Sequence, residues 1–352
     1  MSKSRRMNNK AQRIKWIDTA KGIGILLVMF GHNYLDWKYV FWAYSFHMAL
    51  FFFLCGCTFK VSADFKSFFI KRVKGLLVPY LLFAFIITAY NWLSAVTHGN
   101  FLDITHVALS YLTQTRYTHL WFLPCLFVAE LGTLLISRCV PGNRTYIWLP
   151  VAIVQMCVFF AYRALVGKDL LWNADLAVLG MGFISSGIWY RNAADDFIDK
   201  RCLRLPIVFG VLLFHVVAAY LAFSLSGGSV DWYNNRFGNP LLFAVAAVVG
   251  TLTSVLISKK LKLRILTYIG ENSIVWYGLH RVVIDATFII YNKLGIVIER
   301  GSLLSVVLAT VSTALAVLLL VPVNVILTRY FPFLIGKGSR KDDKHYCADI
   351  RC

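Results

Sequence analysis

The chain has 352 residues, of which 59% are hydrophobic and only 15% charged, with a mean hydropathy of +0.66. A soluble domain carries ~25% charged residues, so this composition cannot cover a water-facing surface; it excludes a soluble enzyme, a disordered chain and a disulfide-stapled secreted module. The net charge of +19, from 36 Lys and Arg against 17 Asp and Glu, reads as basic loops on the inner side of a membrane and not as a nucleic-acid surface.

The N-terminus is basic (Lys3, Arg5, Arg6, Lys10, Arg13, Lys15). The apolar run from Ile17 to Tyr34 is too long for the core of a signal peptide and lacks a small-residue cleavage site, so a retained first membrane helix is expected. A bilayer-crossing helix needs ~20 mainly apolar residues. Ten segments qualify: 17–35, 41–59, 76–97, 118–137, 146–162, 173–190, 205–225, 239–257, 266–290 and 303–328. The sixth, which carries Asp175, is the weakest, and 101–117 is too short and polar to span. The predicted architecture is all-α, a polytopic integral membrane protein of about ten transmembrane helices with both termini cytoplasmic. It has a basic N-terminus (1–16), a membrane domain (17–328) and a C-terminal tail (329–352).

The loops support this orientation. With the N-terminus inside, the cytoplasmic segments hold 27 Lys and Arg, the outer loops hold 7, and Lys21 and Arg281 lie within spans. This is the bias of the positive-inside rule. The sequon Asn143-Arg144-Thr145 falls in a predicted inner loop, where glycosylation is not expected. Eight cysteines form no zinc spacing; Cys125, Cys139 and Cys157 are expected to be small buried apolar residues, and Cys55 and Cys57, two apart, to face different sides of a helix.

Ionisable groups in hydrocarbon are costly and mark function by default. Those in or beside the spans are Asp18, Lys21, His32, His47, Arg116, His119, Glu130, Asp175, His215, His280, Arg281 and Asp285. Asp18 and Lys21 are three apart and neighbours on one face, where they can pair. Lys21 and His32 are eleven apart, which brings them back to the same face about 16 Å along the axis. Gly24 and Gly31 lie close to that face and would let a helix or a substrate approach. His32 and His47, on an antiparallel pair of helices, both belong in the outer half of the membrane and could meet there. His215 stands alone in an aliphatic helix and reads as structural.

Lys71, Arg72 and Lys74, before Pro79-Tyr80, form a basic cluster at the inner headgroup level, either a lipid anchor or a site for a cytosolic polyanion. His119-Leu120-Trp121 opens the fourth span, with Trp121 placed as in an aromatic belt. Gly270-Glu271-Asn272-Ser273 opens the ninth, with Asn272 or Ser273 as its N-cap and His280 on the face of Ser273 two turns on.

Together these segments resemble the acyltransferase-3 family of integral membrane O-acyltransferases, most closely its fucose 4-O-acetylase-like branch. The resemblance rests on Trp16-Ile17-Asp18-Thr19-Ala20-Lys21-Gly22 through Gly31-His32, on Phe46-His47-Met48 to Gly56, on Lys71-Arg72 through Pro79-Tyr80, on His119 to Leu123, and on Gly270 to Ser273 with His280. It covers residues 14–281. It implies transfer of an acyl group, typically acetyl, from acyl-CoA to a hydroxyl of a cell-surface or lipid-linked sugar at the bacterial cytoplasmic (inner) membrane. Acetyl-CoA would be the donor substrate; no metal and no nucleic acid are expected.

The family signature is a basic residue, ten residues and a His; Lys21 stands where many members carry Arg, and the two side chains are not interchangeable at a bidentate site. The implied catalytic group is His32, Lys21 and Asp18, with His32 either a general base or an acyl carrier. Lys71, Arg72 and Lys74 are the implied donor site. His47, His119, Trp121, Glu130, Ser273 and His280 are implied acceptor or supporting residues, with Glu130 orienting a histidine. The alternative is a secondary transporter or flippase of a glycan-related substrate, which the lack of two related halves with paired broken helices disfavours. On the loop count, reporters fused after Arg204 should read cytoplasmic and one near Ser229 external; one reversed reporter would show a miscounted span.

Overall fold

In the computed structural model, which describes residues 14–60, 64–141 and 144–337, the apolar segments fold as α-helices, and no strand forms among the described residues. Most of the basic N-terminus, most of the C-terminal tail and Asn143 of the sequon lie outside the described residues. In chain order the helices are α1 (Lys15–Gly31), α2 (Trp37–Tyr44), α3 (His47–Cys57), α4 (Phe65–Arg72), α5 (Val78–Thr97), α6 (Ile104–Thr113), α7 (Phe122–Ser137), α8 (Trp148–Leu165), α9 (Ala174–Trp189), α10 (Asp195–Arg201), α11 (Leu205–Leu225), α12 (Pro240–Lys260), α13 (Arg264–Glu271), α14 (Ser273–Lys293) and α15 (Leu303–Tyr330). The chain is thus an all-α polytopic membrane protein.

Nine helical stretches among the described residues are long and apolar enough to cross a bilayer. Ten were expected; the difference is α1, whose 17 residues stand at the lower limit for a span. Three other boundaries also differ from expectation. The second span breaks at Ser45–Phe46, where Phe46 leaves helical geometry, so His47 begins a new helix. The third continues from α4 through a π-helical turn at Val73–Leu77; Pro79 has no N–H to offer the Gly75 carbonyl four residues back, and a wider turn absorbs the mismatch. The ninth starts only at Ser273, because 264–271 is the separate helix α13. Neither Asn272 nor Ser273 caps α14 with its side chain; Asn272 Nδ2 instead donates to Tyr268 O at 2.8 Å, inside the preceding helix.

Glycine sets the centre of the bundle. A methyl group on Gly270 would lie 1.7 Å from Asp18 O, and one on Gly22 would lie 2.1 Å from Leu266 O, so α1 and α13 cross backbone to backbone. Gly56 and Gly187 do the same for α3 and α9, with virtual Cβ positions 2.0 Å from Ile184 O and 2.1 Å from Phe53 O. Small residues are what permit such approach where both solvents are equally apolar. α3 and α7 are largely buried, whereas α5, α8, α11 and α15 turn most of their apolar side chains outward. Cys139 and Cys157 are exposed, not buried as expected, while Cys125 is enclosed. A composition this apolar has lipid-facing positions to fill, and a small thiol suits them as well as the core.

Gly270→Ala should therefore cost about 1–3 kcal/mol through overpacking, read as a lower melting temperature and lower yield in detergent. Gly75→Ala is the control: its Cβ would meet nothing within 4 Å, and it should leave both near wild type.

Candidate functional site

Three adjoining cavities lie along one face of α1. The first, about 220 Å³, is lined by Lys21, Ile25, Val28, Cys55, Arg72, Glu130 and Ser273, with Met48, Phe122 and Tyr277 at its far end. The second is a waist of about 50 Å³, lined by the same Val28, Met48, Phe122 and Tyr277, and by His32, His47 and His119. The third is a vestibule of about 440 Å³ that shares His32, His119 and Trp121 with the waist and adds Trp37, Tyr90, Arg281 and Asp285. The α1 positions that line them, 21, 25, 28 and 32, are one helical stripe, as the eleven-residue spacing of Lys21 and His32 requires. Gly24 and Gly31 serve helix contact, packing on Phe51 and on Tyr44.

At the Lys21 end Arg72 and Glu130, 2.9 Å apart, form an ion pair in the cavity wall. Glu130 is 1% exposed. Among the described residues it pairs with Arg72 and bonds no histidine, contrary to the expectation. Arg72 also lies over the Phe68 ring, 4.7 Å from its centroid. Lys71 and Lys74 are exposed and do not line the cavity, so the basic cluster divides into one inward cation and two outward ones. Among the described residues no ion pair joins Lys21 to Asp18; Asp18 is buried beside the α13 crossing, while Lys21 faces the cavity. Ser273 also belongs here, near Lys21 and not among the histidines.

At the other end three imidazoles form a triangle. His32 and His280 stack with centroids 4.9 Å apart, His119 and His280 are 5.0 Å apart, and His32 and His119 are 6.2 Å apart. His32 Nδ1 and His280 Nε2 are hydrogen-bonded at 2.6 Å. α14 holds this group: His119 Nε2 donates to Gly278 O at 3.2 Å, the Tyr277 hydroxyl donates to His119 O, and Arg281 donates to His32 O at 3.0 Å. His47 lines the opposite wall of the waist and donates from Nδ1 to Ala43 O at 2.8 Å, so His32 meets His280 rather than His47. Trp121 is buried and lines the vestibule; it is not a lipid-facing belt residue. No group of three His, Cys, Asp or Glu among the described residues has the geometry to hold a metal ion. His215 sits apart, 3.2 Å from the Ser45 hydroxyl at the α2–α3 break.

The segment before His119 is pinned. Gln114, Arg116 and Thr118 all have positive φ (43°, 55° and 56°), a conformation that costs each a non-glycine residue of order 1 kcal/mol or more. Buried polar bonds hold it there. Asn173 Nδ2 donates to Gln114 O at 2.9 Å, Gln114 Nε2 to the Tyr80 hydroxyl at 2.7 Å, and Arg116 N to Asn173 Oδ1 at 3.1 Å. The Arg116 guanidinium pairs with Asp175. Asp169 also pairs with Arg116, 2.5 Å away, and Arg163 lies 3.6 Å from Asp175, so these residues, far apart in sequence, form one network.

Sequence reasoning missed part of the vestibule. Arg281 and Asp285, an i,i+4 pair 3.4 Å apart, carried a signal as ionisable residues in a span. Asp231 and Tyr233 come from a loop with no pattern to distinguish them, and Trp37 and Tyr44 lie in a short helix rich in aromatics.

The acyltransferase domain family matches residues 14–323. No curated protein and no solved structure matches the chain. The match spans most of the polypeptide, including every residue of the cavity run, and with the membrane-spanning bundle it shows what the chain is: it belongs to the acyltransferase-3 family and is a multi-pass membrane acyltransferase.

Proposed function

We propose that the protein moves an acyl group, acetyl in the first instance, from cytosolic acyl-CoA to a hydroxyl of a cell-surface or lipid-linked sugar across a bacterial cytoplasmic membrane. The observation that carries this reading is the run of cavities from Lys21 to His32. Eleven residues of helix rise about 16 Å, a reach that suits the extended pantetheine arm of CoA. With its phosphates beside Lys21 and Arg72, the thioester would pass the waist and reach His32.

The vestibule offers what a sugar needs. Trp37, Trp121 and Tyr233 present flat apolar faces to ring C–H groups, and Asp231, Asp285 and Asn91 present acceptors or donors to hydroxyls. A sugar hydroxyl is a weak nucleophile near neutral pH, and an imidazole is suited to accept its proton. We assign His32 this general-base role. As the hydroxyl oxygen bonds to the thioester carbon, its proton passes to His32; the C–S bond then breaks and the proton leaves with the CoA sulfur. His119 and His47 would wall the reacting centre. Asp18, buried at the α13 crossing, is read as a support of α1, and Ser273 as part of the donor cavity.

Purified protein given acetyl-CoA and glycan from the producing cell envelope should release thiol and acetylate the glycan; a failure to do either would sink the reading. His32→Ala should lower this turnover at least about 100-fold, the usual lower bound for a general base, with normal yield and membrane insertion. Turnover near wild type in that variant would remove His32 from the chemistry.

The donor end gives a second expectation. Lys21→Ala should raise the KM for acetyl-CoA about 10- to 100-fold, as loss of a charge-assisted bond of ~1.5–3 kcal/mol requires, and Lys21→Arg should recover part of it. Lys71→Ala and Lys74→Ala, on exposed side chains, should change it less than about threefold. Adding Asp18→Asn to Lys21→Ala should restore nothing, because the two are not paired; recovery in the double variant would make Lys21 structural.

A further inference from the structure

The hydrogen bonds around His280 determine which nitrogens of the dyad carry protons. His280 Nδ1 lies 3.0 Å from Trp276 O and 2.9 Å from Tyr277 O. A carbonyl oxygen only accepts, so Nδ1 bears the hydrogen; a neutral imidazole has one N–H, so Nε2 bears the lone pair. That Nε2 is 2.6 Å from His32 Nδ1, which must then donate. The lone pair of His32 is left on Nε2, which has no hydrogen-bond partner among the described residues. His32 lines the waist and the vestibule, and His280 is fully buried behind it.

We propose that His280 is a positioning residue that holds His32 in its Nδ1–H tautomer, so that Nε2 meets the acceptor hydroxyl, and that shares the proton taken up there. This rests on the acyl-transfer reading above. The other rings do not compete for the role. His119 spends its Nε2–H on Gly278 O and His47 its Nδ1–H on Ala43 O, and neither is hydrogen-bonded to His32. The anchors of His280 are the carbonyls three and four residues earlier in its own helix, so α14 itself sets the tautomer. The next residue, Arg281, holds the His32 backbone from the same helix.

The step balances. The acceptor O–H breaks as its oxygen bonds to the acyl carbon, and the proton goes to His32 Nε2. The Nδ1 proton moves toward His280 Nε2, and His280 spreads the positive charge onto the two carbonyls its Nδ1–H already meets. The C–S electron pair leaves on sulfur, His32 Nε2 returns a proton to it, and the Nδ1 proton moves back. A carboxylate partner would do similar work, but at the cost of a charge buried in the resting protein. A second imidazole leaves the dyad neutral until the reaction calls for charge, which suits a site within the bilayer.

The test uses the full-length protein in nanodiscs, with acetyl-CoA and envelope glycan as substrates and with ¹⁵N-labelled histidine for NMR. His280→Leu should lower kcat about 100-fold or more while both KM values stay within about threefold. His280→Gln places an amide oxygen near the lost Nε2, can accept from His32 Nδ1, and should recover at least about tenfold. In the wild type, His32 should show a protonated Nδ1 and a bare Nε2, and in His280→Leu a mixture of tautomers. Equal loss in the Leu and Gln variants, a loss confined to KM, or a bare Nδ1 on wild-type His32 would each overturn the proposal. If the wild type turns over no acetyl-CoA, the acyl-transfer reading fails, and the NMR tautomer still decides this one.

Discussion

A lipid-facing helix has no solvent for a polar side chain, so the ionisable groups of the spans turn to partners or to cavities inside the bundle. That constraint accounts for most of what surrounds the cavities. Arg72 pairs with Glu130, Arg116 with Asp175, Arg281 with Asp285, and His32 with His280. Each pair joins segments, or faces of a segment, that line the path along α1 or hold its lining in place. The polar groups converge on a common interior because the exterior offers them nothing.

Close backbone packing makes that convergence possible. Gly22 and Gly270 bring α13 onto α1, and the chain then turns at Asn272 into α14. This turn is what delivers His280 to His32, two residues that lie 248 positions apart. The strained segment 114–118 delivers His119 from a third direction. The histidine cluster is therefore a product of three separate anchoring devices, none of which contains a histidine.

What was legible in the sequence was what period and charge alone determine. Apolar length revealed the helices, and the 100° advance of the α-helix revealed that Lys21 and His32 share a face. The motif order revealed the family. What was not legible depended on tertiary direction. The sequence suggests Glu130 as a partner for histidine because nothing in one dimension says that α7 turns it toward Arg72. Lys71, Arg72 and Lys74 looked like one cluster because adjacency in sequence hides the π-helical turn and the helical rotation that send only Arg72 inward. Asp18 and Lys21 have the spacing of a pair, yet the α13 crossing takes Asp18 into the core and leaves Lys21 facing the cavity. Asp231 and Tyr233 were invisible because loop residues carry no periodicity.

The waist between the two larger cavities has a consequence of its own. A polar path through a bundle threatens the membrane it sits in, since a continuous file of water would carry protons down the gradient. At about 50 Å³ the waist is the smallest of the three cavities along α1. Its inner margin is Val28, Met48 and Phe122, together with a Tyr277 whose hydroxyl is already committed to His119 O. This margin narrows the path between the Lys21 cavity and the vestibule with largely apolar side chains. The side chains that a passing thioester arm would have to brush are the same ones that leave the least room for such a file.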